Sequence, residues 1–389
     1  MTENKLITTM DDLAAFCDRL ETAEFVTVDT EFMRETTYRP ILCVIQIAGP
    51  DEAFAIDALA PDLNLDPVYK LFDNPDIVKV FHAARQDLEI FYSLSDRLPS
   101  PLFDTQIAAM VCGFGDSIGY QQLIAKLCKT HIDKGSRFSD WSLRPLSAKQ
   151  IDYAISDVTH LQEAYQKLHQ KLIENGREPW IAEEMDILKS PDTYRSDPEN
   201  AFRRIKARSV TPRFLAILQR LAAWREREAE RRDVPRNRIV KDDTLVDIAH
   251  QKPATARELG KTRGISSKTA DGKYGEQILA AIKQGLATPD DQCPKPMLKP
   301  DLPRGIGPVS DLLKVLLKMK TENENVAGKL LASAADMELI AAFGEDADVR
   351  CLKGWRRELF GEDALKLCAG KLALVVRGRE IILVDTPEK

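Results

Sequence analysis

Nowhere in the 389 residues do two cysteines stand in a C-x-x-C pair, and the seven that occur (17, 43, 112, 128, 293, 351 and 368) are scattered and odd in number. That spacing argues against both a zinc site and a disulfide framework, and it fits a reducing compartment. The five histidines (82, 131, 160, 169 and 250) form no metal-ligand cluster either. No apolar run approaches the roughly 18 residues needed to cross a bilayer. The N-terminal stretch lacks the basic start and apolar segment of a secretory signal. The expectation is a cytoplasmic protein with no membrane partner. A GxxxxGK[ST] phosphate loop is missing too, and Gly305-x-Gly307 is too sparse to stand in for one.

What is present is the material of a folded chain: 44% hydrophobic and 30% charged residues. The length suggests two or three domains. The net charge of −6 hides a strong asymmetry. Residues 1–200 carry 19 Lys and Arg against 34 Asp and Glu, whereas residues 203–241 alone carry 13 basic and four acidic residues. An acidic half joined to one concentrated basic stretch points to a metal-binding catalyst beside an arm for polyanions. The competing reading is a solvated helix face.

Three runs rich in β-branched residues open the chain, Phe25–Phe32, Ile41–Ala48 and Ala53–Ala58, with a Gly49-Pro50-Asp51-Glu52 turn between the last two. Short connections imply antiparallel neighbours. A helix around Asp66–Phe72, a fourth strand at Ile77–Phe81 and a helix over Ala84–Leu94 follow. Then comes mostly helix to Gly176, including a long one capped by Ser147. The reading is a mixed α/β domain followed by two all-α helical domains. A polar connector occupies 176–203, a first helical domain 204–288, a segment with six prolines 289–308, and a second helical domain 309–389. The two helical domains read as divergent copies. Val234–Ala249 aligns without gaps on Val326–Ala341, and Tyr274-Gly275-Glu276 returns as Phe360-Gly361-Glu362.

Asp29 and Glu31 stand two apart in a strand, so both carboxylates leave one face, while Val26, Val28, Thr30 and Phe32 leave the other. Two such carboxylates repel each other unless a cation lies between them. Asp87 falls where a strand gives way to a helix, a place where α/β proteins present functional groups. Tyr153 and Asp157 are four apart on a helix and share a face. Taken singly, each is as easily a solvated strand face, an early-helix aspartate or a boundary tyrosine. Together they suit hard cations such as Mg²⁺ or Mn²⁺, two of which commonly serve phosphodiester hydrolysis. Four carboxylates could hold both, and a nearby phenol could orient water. His82 reads as structural or supporting.

The ordered set Val28-Asp29-Thr30-Glu31-Phe32, His82-Ala83-Ala84-Arg85-Gln86-Asp87-Leu88 and Tyr153-x-x-x-Asp157 resembles the three motifs of the DEDD exonuclease superfamily, in its tyrosine form. Phe103-Asp104-Thr105-Gln106, Asp140-Trp141 and Arg144-Pro145-Leu146 look like the ribonuclease D family in particular. The two helical domains look like that family's HRDC (helicase and RNase D C-terminal) domains. The resemblance implies an RNase H-like exonuclease domain over residues 1–175 and hydrolysis of RNA from its 3′ end, tRNA precursors included. It implies that Asp29, Glu31, Asp87 and Asp157 hold two divalent ions and that Tyr153 positions the nucleophilic water. Arg231, Arg232, Arg236 and Arg238 are the expected RNA contacts, and no obligatory protein partner is implied for a monomer. The second helical copy departs from the first: Leu316 stands where Trp224 does, and the dense arginines are missing. A 3′-to-5′ exodeoxyribonuclease is the nearest rival, and a non-catalytic nucleic-acid-binding protein the rival from another class.

Overall fold

The apolar runs of the first hundred residues become one six-stranded sheet. In the computed structural model, which describes residues 5–132, 135, 139–208, 210–296 and 300–387, its strands are β1 (Leu6–Ile7), β2 (Phe25–Met33), β3 (Ile41–Ala48), β4 (Ala53–Asp57), β5 (Val78–Phe81) and β6 (Leu102–Asp104). They lie in the order β1-β4-β3-β2-β5-β6. The turn at Gly49 makes β3 and β4 antiparallel, whereas β2–β5 and β5–β6 run parallel. Parallel neighbours need crossovers. These are supplied by α2 (Asp66–Asp73) and α3 (Arg85–Ser95), after α1 (Met10–Leu20) has packed beside α2. Then follow α4 (Thr105–Val111), α5 (Tyr120–Leu127), α6 (Ala148–Glu174) and α7 (Glu178–Lys189). The 27-residue α6 begins in a capping box between Ser147 and Gln150. Strands β1 and β6 are too short to leave an alternating signature. Helix α7 occupies what composition marks as a polar connector, because Pro179 stands in its first turn, where a missing N–H costs nothing.

Two compact units divide the chain, one of Met1–Glu31, Val44–Thr193 and Pro300–Lys389, the other of Phe32–Cys43 and Tyr194–Lys299. The C-terminal region thus falls in the same compact unit as the catalytic residues; residues 297–299 of the proline-rich segment lie outside the described set. The second unit holds α8 (Pro212–Arg231), α9 (Arg236–Ile239), α10 (Asp242–Gln251), α11 (Ala256–Leu259), α12 (Ser267–Ala270) and α13 (Lys273–Ala287). Its core gathers Leu218, Leu221, Leu245, Ile248 and Ile278, all essentially solvent-free.

The C-terminal region contributes α14 (Gly307–Glu324), α15 (Gly328–Leu331), α16 (Ala334–Phe343), α17 (Gly354–Arg356) and α18 (Glu362–Cys368) to the first unit. Helices α9 and α10 recur as α15 and α16 with both bounds displaced by 92 residues. Leu245 and Ile248 are buried as Met337 and Ile340 are. One part of the all-helical expectation fails. The chain ends in an antiparallel hairpin, β7 (Leu372–Arg377) and β8 (Glu380–Asp385), turning at Arg377-Gly378-Arg379-Glu380.

Polar groups fix this region against the catalytic one. The indoles of Trp180 and Trp355 stack at 4.2 Å. The buried Arg356 donates to the Leu330 carbonyl at 2.6 Å and pairs with Glu183 and Glu184 of α7. The chain between α14 and α15 meets the turn after α4: the Ala327 N–H donates to the Met110 carbonyl at 2.9 Å, and the Lys329 N–H to Asp116 at 3.0 Å. Gly113 in that turn has φ +81°, and a Cβ there would sit 2.5 Å from the Asn325 carbonyl oxygen, so both conformation and space demand glycine. Replacing Arg356 by Ala strands a buried carbonyl and two carboxylates, of which Glu183 is half in water. The expected loss is about 2–3 kcal/mol, read as a lower urea midpoint. An unchanged midpoint would show the pairs to be decorative.

Candidate active site

Strand β2 positions the first carboxylates. Its Thr27 hydroxyl donates to the Val158 carbonyl of α6 at 2.8 Å, which turns the Thr27, Asp29 and Glu31 face toward that helix. Asp157 comes from α6, and carboxylate oxygens of Asp29, Glu31 and Asp157 all lie within 4.8 Å of one another. Among the described residues this is the one such group of three or more potential metal ligands. Helix α6 is held in place on both sides. The Tyr120 hydroxyl donates to the Asp157 carbonyl, and Arg144, in the loop before α6, grips Asp57 at the end of β4 through two bonds of 2.7 and 2.5 Å.

Asp87 reaches the site from the other face of β2. It is buried, and the Thr30 hydroxyl donates to its Oδ1. It therefore lies beside the trio, not inside it, close enough that the Asp29 charge pushes its own titration upward. The loop before Asp87 is built by Asp104. That carboxylate caps α4 through Gln106 and also accepts the N–H groups of Ala83 and Ala84, at 3.0 and 2.9 Å, where Ala83 adopts φ +59°. The Thr105 hydroxyl donates to the Phe81 carbonyl at 2.9 Å and lies 3.0 Å from His82 Nδ1. His82 thus has a supporting role, and burial pulls its titration down.

A cavity of about 600 Å³ opens over these groups, lined by Asp29, Asp157, Tyr153 and His82 on one side and by Gln106, Ser117, Tyr120, Gln121 and Gln122 on the other. The amide and hydroxyl wall was not legible as a site, because isolated glutamines in helices carry no pattern. Thr30 was assigned to the apolar face of β2. A hydroxyl interrupting that face was the available signal.

Electrostatics set the problem this site must solve. Burial, then the charge of Asp157, push Asp29 well above the usual carboxylate range, and burial followed by Asp29 does the same to Asp87. The Tyr153 hydroxyl is pushed up by burial, then by Asp157 and Glu31, and it hydrogen-bonds Asp157. It stays a phenol at any physiological pH. The donors are hard carboxylate oxygens, the kind Mg²⁺ and Mn²⁺ prefer, and a divalent cation would remove the repulsion. The residues fit the group.

A strand-borne D-x-E pair, a carboxylate at a strand-to-helix junction and a Tyr/Asp pair on a facing helix define a metal-dependent 3′-to-5′ exonuclease. A 3′-5′ exonuclease family model matches residues 4–173, and an HRDC domain model matches residues 214–282. The chain is 50% identical to a ribonuclease D of Acidiphilium cryptum over 99% of its own length and 98% of the relative's. It is 48% identical to one of Granulibacter bethesdensis over 98% and 96%. The crystal structure of Escherichia coli RNase D, an exoribonuclease involved in structured RNA processing, superposes with a TM-score of 0.82 at 30% identity, covering 95% of this chain and 99% of that one. The chain belongs to the ribonuclease D family of hydrolytic exoribonucleases.

Two measurements examine the site. In the folded, metal-free protein Asp29 and Asp87 titrate above the ordinary 3.8, so the folded state binds protons more tightly than the unfolded one. Their contribution is favourable below about pH 4 and is lost as pH rises through the elevated values. Asp29→Asn should flatten that decline and outlast the wild type in metal-free urea melts at neutral pH. Mn²⁺ should then raise the wild-type midpoint more than the variant's. Separately, Thr30→Val should raise the metal concentration needed for half-maximal activity roughly ten-fold or more, while Thr30→Ser keeps it near wild type. Equal metal requirements in all three would remove Thr30 from the site.

Proposed function

We propose that this protein shortens RNA from its 3′ end, releasing 5′-mononucleotides one after another, with tRNA precursors and other structured RNAs as substrates. The carrying observation is the convergence of Asp29, Glu31 and Asp157 beside a cavity large enough for a nucleotide, with Asp87 adjoining them. The structured-RNA activity of the Escherichia coli relative supports extending that substrate class to this chain. The four carboxylates would hold two divalent cations, Mg²⁺ or Mn²⁺. When bound, these ions offset the carboxylate charge and favour the charge that builds on the phosphate and leaving oxygen.

The chain's own groups divide the remaining work. Tyr153, locked as a phenol and bonded to Asp157, cannot take a proton as a base. It offers one hydroxyl to fix the position of the attacking water. Thr30 and Tyr120 hold Asp87 and the Asp157 backbone in place. Gln106, Gln121, Gln122 and Ser117 present neutral donors and acceptors to the terminal nucleotide, suiting a site that must accept every base.

The basic stretch is partly spoken for. Arg231 pairs with Glu228 at 2.6 Å, Arg236 clamps Glu226 at 2.6 and 2.7 Å, and Arg232 donates to the Tyr274 hydroxyl at 2.7 Å. Arg231 and Arg236 therefore brace the second unit, and exposed Arg238 is the member of the four best placed for RNA phosphates. All seven cysteines are free thiols, which supports a reducing, cytoplasmic setting.

With Mg²⁺ or Mn²⁺ present, a linear RNA oligonucleotide should be degraded to 5′-mononucleotides, its DNA counterpart far more slowly. A 3′-phosphate should block degradation, and Asp29→Asn should reduce the rate at least about a thousand-fold without unfolding the protein. Cleavage of circular RNA by the wild type, or robust turnover by Asp29→Asn, would overturn the assignment.

A further inference from the structure

The second unit contains a polar cavity of about 310 Å³ that the proposed hydrolysis leaves unused. Segment Phe32–Cys43 supplies Arg34 and Tyr38 to its wall, and the helical residues supply Arg204, Arg225, Arg236 and Asn237. Glu226 and Asp242 are its carboxylates, so four guanidiniums line the pocket against two acids. Both acids are already engaged within it. Glu226 receives two bonds from Arg236 and one from the Tyr38 hydroxyl at 2.5 Å, and Asp242 lies 2.6 Å from Arg225. Burial pushes Glu226 up, but Arg236, Tyr38 and Arg204 outweigh it and hold the carboxylate below its usual range, so it remains charged.

Arg225 is 3% exposed, and its Nε–H finds no acceptor. A buried donor left this way costs free energy that a bound acceptor would return. The guanidinium of Arg236 lies over the Tyr38 ring, 5.3 Å from its centroid, and is also tied to Glu226, so it is positioned before any ligand arrives. Planar forks, an amide and an unmet buried donor around a small polar volume favour an oxyanion. A phosphate monoester, carrying about −1.5 to −2 charges at neutral pH and three acceptor oxygens, suits these donors.

We propose that this pocket is a phosphate-binding site, occupied by the phosphate of a 5′-mononucleotide or of an RNA strand. The mononucleotide source rests on the product assigned above; the pocket itself does not depend on it. Strand β2 ends at Met33 and Arg34 follows it directly, so Glu31 and Arg34 stand on one short stretch of backbone.

The test uses the full chain in EDTA, where hydrolysis cannot occur and a failure of the nuclease assignment cannot be confused with a failure here. Inorganic phosphate, AMP and adenosine are titrated by calorimetry, and a 5′-hydroxyl RNA oligonucleotide by fluorescence anisotropy. Wild type is compared with Arg204→Ala, Arg34→Ala and the control Arg203→Ala, whose guanidinium lies over Phe202 outside the pocket. Melting curves confirm that each variant folds. Phosphate and AMP should bind the wild type and adenosine should not. Arg204→Ala and Arg34→Ala should each weaken binding about ten-fold, with Arg203→Ala unchanged. If phosphate and AMP do not bind, but RNA affinity falls about ten-fold in Arg204→Ala and not in Arg203→Ala, the strand is the source. The proposal is overturned if phosphate and AMP show no Arg204-dependent binding and Arg203→Ala and Arg204→Ala affect RNA equally.

Discussion

Repulsion among clustered carboxylates is the constraint on which the catalytic half of this protein depends. Carboxylate oxygens of Asp29, Glu31 and Asp157 are held within 4.8 Å of one another, with Asp87 adjoining. The surrounding structure answers with hydroxyls: Thr30 toward Asp87, Tyr153 toward Asp157, Tyr120 toward the Asp157 backbone and Thr27 toward Val158. Each fixes geometry without neutralising charge, which leaves the charge to be matched by cations from solution. A lysine or arginine in the same place would make the apo protein more stable and spoil the site.

The sequence disclosed this half well because its physics is local. Period-two alternation in Phe25–Met33, the Gly49 turn and the Ser147 cap are each written in a few adjacent residues, and they place Asp29, Glu31, Tyr153 and Asp157 on definite faces. Asp87 was harder. Its junction position was readable, but its approach from the opposite face of β2 through Thr30 depends on α3 packing, which no short window contains. The glutamine-lined wall likewise exists only after α4 and α5 have folded against α6. Strands of two or three residues, such as β1 and β6, carry too little pattern to distinguish them from loops. At the other end, β7 and β8 were absorbed into an expectation of helix, although Val375, Val376, Ile381 and Ile382 are β-branched neighbours flanking a glycine turn.

The two helical copies show how one arrangement can be put to different uses. In the first, α8 and α9 carry seven arginines, and six of them pair with acids of the same unit. In the second, the corresponding helices lack the arginines, and its polar effort goes into Arg356, Trp355 and the backbone of Ala327 and Lys329. Surface that could meet a polyanion in one copy has become packing surface in the other. The composition of the proline-rich segment suggested a spacer between independent bodies, but a spacer also suffices to bring a distant segment back onto an earlier one.

That return has a bearing on how the protein is made. All five proposed catalytic groups have left the ribosome once residue 157 and its exit-tunnel length have been translated. The turn from Met110 to Asp116, which leads directly into the cavity wall at Ser117, meets Lys171 and Arg177 first and gains a further set of contacts with residues 325 to 329. At ordinary synthesis rates those residues follow roughly 10–30 s later. During that interval a nascent chain carries its charged groups beside its own message and a ribosome rich in RNA ends, before the C-terminal contacts on that turn have formed. The turn beside the cavity is therefore among the last parts of the catalytic unit to receive all its contacts.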